Sequence, residues 1–187
     1  MPQTPPEKII LGIDPGTTIM GYGIISITGK SLSMIAFGVL KLSKYDDHPM
    51  RLKIIFEKTL SLIEQYKPDE LAIEAQFFGK NVQSMLKLGR AQGVAIAAAL
   101  YRTIPIFEYS PRKIKQSITG KGSASKEQVA AMLQRLLSLK EAPESLDATD
   151  ALAVAVCHHF QNGRPEEGGK KFTGWKGFLS ANPGRVK

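Results

Sequence analysis

The spacing of apolar positions changes several times along the chain, and each change marks an element. Residues 8–14, KIILGID, form a short apolar run of strand character that Pro15 and Gly16 end. Residues 21–28 and 32–40 then read as antiparallel neighbours joined by a turn containing Gly29 and Lys30. KLSKYDDHP breaks that pattern. Beyond it Leu52, Ile55, Phe56, Thr59, Ile63 and Tyr66 recur at helical spacing, with Pro68 past the stop. DELAIEAQFF reads as a strand ending near Glu74, and 81–102 as a helix whose tight face carries Gly and Ala. A strand over 103–109 follows. The stretch 112–124, RKIKQSITGKGSA, reads as a basic, flexible loop. Ser125 and Gln128 have capping-box spacing for a helix with Val129, Met132, Leu133, Leu136 and Leu137 on its apolar face. After a connection over 138–146, a last helix runs from Asp147 to about Phe160.

This order implies one α/β domain with a mixed sheet, antiparallel in its first strands and crossover-connected later, with helices packed on both faces. The domain is expected over 8–160, between a flexible extension at 1–7 and a basic, Gly- and Lys-rich tail at 161–187 that reads as mobile. A length of 187 residues suits one well-packed domain. The balance of 25 Lys and Arg against 17 Asp and Glu, +8 in all, favours an acidic partner such as nucleic acid. The single cysteine, Cys157, excludes an internal disulfide framework and a multi-cysteine metal site, and its setting reads as helix core. With no membrane-length apolar run and no secretory signal in MPQTPPEK, the expected location is the cytoplasm, away from membranes.

The chemistry concentrates in carboxylates. Asp147 and Asp150 in DATD share one helix face. Taken alone they make good local chemistry, Asp147 as N-cap and Asp150 at N3, favoured by the helix dipole. Asp14 and Glu74, each closing an apolar strand, change that picture, because strand ends can bring both acids to one sheet edge within reach of the helix terminus. Four such carboxylates repel one another in a low-dielectric cleft, and divalent cations resolve the conflict. Two ions ~4 Å apart can serve phosphodiester hydrolysis. A rival use of the same parts exists, since the turn after Asp14 resembles the phosphate turn of the sugar kinase, actin and Hsp70 superfamily. Those proteins need a second lobe and nucleotide loop, for which this chain has no room.

GIDPGTTIMGYGII, AIEAQFFGKN, LKLGRAQGVAIAAAL, IKQSITGKGSASKEQV and DATDALAVAVCHH, in this order, resemble the RuvC-type Holliday junction resolvases over roughly 8–160. The resemblance implies an RNase H-like fold, a homodimer, and Mg2+-dependent paired incisions across a four-way DNA junction. It implies two ions per site, for which Mn2+ can substitute, and ends bearing 5′-phosphate and 3′-hydroxyl. It also implies cooperation with a branch-migration motor of RuvA and RuvB type. Asp14, Glu74, Asp147 and Asp150 match the family's catalytic, metal-binding carboxylates. Glycines around Asp14 are then expected to turn the chain and to clear space for the DNA backbone.

Phe77 matches a family aromatic that stacks at the opened junction centre, and Phe78 can share that task or pack inward. Lys80 and Asn81 match the next element, where a backbone or metal-proximal contact is expected. Lys115 and Lys126 align with basic positions near the scissile phosphate. Lys121 is expected to add DNA affinity, and Arg112 and Lys113 peripheral contacts. His158 and His159 lie two helical turns beyond Asp150 and are expected to be structural or surface residues. The 81–102 helix, with Gly89 and Gly93, is the expected dimer element, although its small residues can equally face the sheet of their own subunit. Two other readings stay open: an RNase H-like nuclease acting on hybrids or flaps, and a non-catalytic junction-binding protein.

Overall fold

The computed structural model describes residues 7–76, 81–139 and 146–162. Phe77, Phe78 and Lys80, six residues of the N-terminal extension and the tail from 163 onward lie outside the described residues. Five strands, β1 (Glu7–Asp14), β2 (Ile19–Thr28), β3 (Ser31–Lys41), β4 (Glu70–Glu74) and β5 (Ile106–Tyr109), form one sheet in the order β3-β2-β1-β4-β5. β1, β2 and β3 run antiparallel, joined between β2 and β3 by a two-residue turn at Gly29, whose φ of 61° suits a hairpin connection. β4 adds parallel to β1 and β5 parallel to β4, through helical crossovers. This is the RNase H-like mixed sheet. Its first strand begins one residue earlier than expected, at Glu7, which pairs with Thr28.

Alternation along the strands divides the core into two. Leu11, Ile13, Ile24, Leu71 and Ile73 face α1 (His48–Tyr66) and α2 (Val82–Tyr101). Ile10, Ile25, Ile27 and Ala72 face α3 (Pro111–Thr119), α4 (Lys126–Leu136) and α5 (Leu146–Asn162). α5 is buried at every position from Ala151 to His158, because it lies between the sheet and the other two helices. Its closeness to the sheet depends on glycine. A Cβ at Gly21 would stand 2.2 Å from the Asp147 carbonyl oxygen, and one at Gly12 2.2 Å from that of Ala151. The glycines of β1 and β2 therefore admit α5, correcting the expectation that they clear space for DNA. Gly16 alone serves the turn after Asp14, where a Cβ would lie 1.8 Å from the Ile19 carbonyl oxygen.

The segment 112–124 also departs from expectation, since most of it is helix. Ser110 caps α3 by accepting from the Lys113 amide, Pro111 occupies its first turn, and Gly120 closes it at φ 78°. Ile114 and Ile118, four apart, supply the buried face that pays for this short helix. The expected strand over 103–109 shortens to Ile106–Tyr109, because Thr103 takes a positive φ of 59° in the turn leaving α2. α4 forms as expected, with both bonds of the Ser125–Gln128 capping box in place. α5 starts at Leu146, so Asp147 lies inside its first turn instead of capping it, and the helix runs on through Asn162.

Candidate active site

The carboxylates meet where β1 and β4 end. The two strands are parallel neighbours, with Ile13 opposite Ile73, so the next residues, Asp14 and Glu74, project from the same sheet edge. α5 crosses β1 and β2 at that edge and brings Asp150 to them. Asp14, Glu74, Asp150, Lys115 and Lys126 line one cleft of about 170 Å3, with Pro111, Ile114, Val129 and Ala153 forming apolar walls. Asp147 stands just outside it, its Oδ1 3.9 Å from Lys126 Nζ. Lys126 Nζ donates to the Asp150 carboxylate.

Crowding in a half-apolar cleft has a strong electrostatic signature. Burial raises the Asp14 pKa to about 8, and the charges of Glu74 and Asp150 push the same way. Burial, then Asp150, raises Glu74 to about 7. Lys126 lowers both, and its own pKa is raised, first by its hydrogen bond to Asp150. With all three lining carboxylates ionised the cleft would hold more negative charge than Lys126 and Lys115 compensate, and the raised pKa values of Asp14 and Glu74 reflect that crowding together with burial. Hard oxygen donors with uncompensated charge fit a divalent cation such as Mg2+. Among the described residues, however, no three acid or histidine side chains stand in a ready-made metal cage.

The other expected residues distribute unevenly. Lys115 reaches the cleft from α3, whereas Arg112 and Lys113 are exposed on the same helix. The Arg112 stem lies against Gly122, where a Cβ would come within 2.6 Å of its Cγ. Lys121 is exposed in the turn after α3. The Asn81 carboxamide oxygen caps α2 by accepting from the Ser84 amide at 3.1 Å. His158 is fully buried away from the acids. Its Nδ1 lies 2.6 Å from the Tyr109 hydroxyl and its Nε2 2.5 Å from Glu70 Oε2, which also meets Lys8 at 2.7 Å. It ties α5 to β4 and β5, a structural role. Cys157 is buried core.

Two supports of the site were not legible as such. Arg51, on α1, donates to the carbonyl oxygens of Thr17 at 3.1 Å and Tyr45 at 2.9 Å, bracing the turn that follows Asp14. Gln92, on α2, donates to the Glu74 carbonyl oxygen at 3.3 Å and to Glu108 at 2.9 Å. Nothing in their local spacing distinguishes either from a surface residue of its helix.

The model of the family described as crossover junction endodeoxyribonuclease RuvC matches residues 10–158. The crossover junction endodeoxyribonuclease RuvC of Cytophaga hutchinsonii is 62% identical over 181 residues, covering 97% of this chain and 89% of that protein. That of Bacteroides fragilis is 62% identical over 185 residues, covering 97% of each. The solved structure of Thermus thermophilus RuvC in complex with a Holliday junction substrate has a TM-score of 0.78 and 34% identity, covering 83% of this chain and 94% of that one. A match over most of the chain, in sequence and in fold, establishes that the protein belongs to the RuvC family of crossover junction endodeoxyribonucleases.

Proposed function

We propose that this chain resolves four-way DNA junctions by paired, symmetric phosphodiester hydrolysis at the cleft formed by Asp14, Glu74, Asp147 and Asp150. As a RuvC-family protein it is a structure-selective endonuclease that acts on Holliday junctions. The observation that carries the site assignment is the convergence of three acids from three separate elements, two with pKa values raised to about 8 and about 7. Structural ion pairs keep carboxylates ionised, whereas these are held in a state that a cation relieves.

Bound divalent cations, most simply two Mg2+ for which Mn2+ can substitute, would supply Lewis acidity and charge neutralisation at the scissile phosphate. Asp14, Glu74 and Asp150 would hold them. Asp14 is anchored in the β1–β2 ladder and its turn is braced by Arg51, so its carboxylate is presented with little freedom. Asp147, at the cleft mouth with its side chain partly exposed, is assigned to orient the attacking water or to accept its proton. Lys115 and Lys126 present cationic heads to a phosphate entering the cleft. Cleavage at phosphorus with departure of the 3′ oxygen leaves 5′-phosphate and 3′-hydroxyl ends. Lys121, Arg112 and Lys113 extend a positive surface on and just beyond α3 for DNA backbone; on the family resemblance of AIEAQFFGKN alone, Phe77 and Phe78 are assigned to the opened junction centre, and Lys80 and Asn81 to a backbone or metal-proximal contact.

Two symmetric cuts require two cleft copies, and α2 offers a surface for pairing them. Its inward face is Ala91, Ala95, Ala98 and Ala99. Its outward row includes Val82, Leu86 and Leu100, 67%, 53% and 60% exposed, and nothing lies within 4 Å of a Cβ built on Gly89 or Gly93. An apolar row with open glycines supports a helix-to-helix homodimer contact through α2. A branch-migration motor of RuvA and RuvB type is assigned as partner on family membership alone.

Synthetic four-way junction, linear duplex and RNA–DNA hybrid, incubated in parallel with Mg2+, test the proposal. Nicks at symmetric positions in the junction, with the other two substrates intact, are expected. Comparable cutting of the hybrid would instead favour a general RNase H-like nuclease, and binding without cutting a non-catalytic junction protein.

A further inference from the structure

Lys126 is placed in a way that simple phosphate binding does not require. It is the first residue of α4, and the capping box at Ser125 fixes its backbone. Its ammonium nevertheless turns to the acids, donating to Asp150 and lying 3.9 Å from Asp147. Its side chain is about half exposed, at 49%, and long, so the head can swing while α4 stays still. An ammonium has no lone pair to offer a metal ion, and it repels one held on the same carboxylate. Lys126 and a divalent cation therefore compete for Asp150.

We propose that Lys126 is an exchangeable counter-ion: it holds Asp150 until a divalent cation takes that carboxylate, and its released ammonium then engages the backbone phosphate of the DNA strand in the cleft. The proposal rests on the cleft being a divalent-cation site. Cation binding then creates a phosphate ligand, and DNA that draws Lys126 away tightens cation binding by the same factor. Lys115 lines the cleft without bonding any of its acids in a described contact, so it contributes steady positive charge while Lys126 changes partner.

Mn2+ binding, read from the loss of the free-ion EPR signal without DNA, tests this directly on the 187-residue chain. Lys126→Gln and Lys126→Met are expected to bind Mn2+ at least about fivefold tighter than the parent, a coupling of ordinary size. Lys126→Arg keeps the cation and should stay near the parent. Thermal melting of each variant verifies its fold, and two neutral replacements guard against the failure of one. Unchanged or weaker Mn2+ binding in folded Lys126→Gln and Lys126→Met overturns the exchange. Should the parent bind Mn2+ and Asp150→Asn lose it while the lysine variants show no tightening, the exchange alone fails and the metal site stands. If the parent itself fails to bind Mn2+ at millimolar concentration, the metal-site reading fails and takes the exchange with it.

Discussion

Replacing Gly21 with alanine should disable the catalytic centre without touching any group that performs chemistry. Gly21 is the register partner of Asp14 in the β1–β2 ladder. A Cβ there would lie 2.2 Å from the Asp147 carbonyl oxygen and 3.1 Å from the Ala151 side chain. Since ordinary contact begins near 3.4 Å, the first turn of α5 must retreat by about 1 Å, carrying Asp147 and Asp150 away from Asp14. Overpacking of this kind costs about 1–3 kcal/mol. For a chain of this size each kcal/mol lowers Tm by roughly 2–4 °C, so a fall of about 2–12 °C is expected. A displacement of ~1 Å at reacting groups lowers rate by about 100-fold. Single-turnover cleavage of a four-way junction should slow by about that factor, with junction binding within a few-fold of the parent. Gly23→Ala separates the two effects, because its Cβ would meet Leu152 Cα at 2.7 Å, further along α5 from the acids. It should lose comparable stability and clearly less activity. A Gly21→Ala protein with parental Tm and rate would refute the close-packing argument. Equal activity loss in both variants would show that general destabilisation, and not displaced carboxylates, is responsible.

The raised pKa values predict how the metal-free protein responds to pH. Because the folded pKa of Asp14 lies near 8, above its unfolded value of 3.8, its protonated form favours folding; that stability is full below pH ~4 and is lost as pH rises to about 8. In EDTA, Asp14→Asn should therefore remove a stability loss on the order of a few kcal/mol and melt above the parent at pH 8; if it melts lower there, the electrostatic picture is wrong. Leu86→Glu places a charge in the outward row of α2 and should shift the protein from dimer to monomer in sedimentation, turning paired cuts into single nicks. An unchanged sedimentation coefficient would remove α2 as the interface. His158→Ala leaves the Tyr109 hydroxyl and Glu70 without their buried partner, and urea unfolding should show a loss of about 3 kcal/mol. A loss under about 0.5 kcal/mol would make that network incidental.

The elements that position the acids were legible because their signals are local. An apolar run ending in an acid before a Pro-Gly turn fixes the β1 end, and LAIE fixes β4 in the same manner. The capping box of α4 is likewise contained within four residues. α3 is obscured because three of its nine residues are basic and only two are buried, while the telling features, Ser110–Pro111, the Ile114 and Ile118 pair and Gly120, are individually weak. The role of the strand glycines is not legible locally because the need for them lies on another element, in the α5 backbone more than a hundred residues away. Contacts of that kind, like Arg51 to Thr17 and Lys126 to Asp150, are set by packing of whole elements and leave no trace in spacing. The outward direction of Gly89 and Gly93 also had to be seen, since small residues on a helix permit close approach on either side.

No helix among the described residues is long and apolar enough to cross a membrane. The basic residues of α3 and the overall positive charge of +8 suit a large anionic substrate. Under the proposed function the chemistry falls on a small set of side chains, of which Asp14 has the most strongly raised pKa.

Junction cleavage by Asp14→Asn is accordingly the most direct measurement. A labelled four-way junction, with Mg2+ and protein in excess, should be nicked at paired symmetric positions by the parent. Asp14→Asn should bind that junction with parental affinity and leave both strands intact. Cleavage by Asp14→Asn at the parental rate would contradict the assignment of the catalytic centre to this cleft.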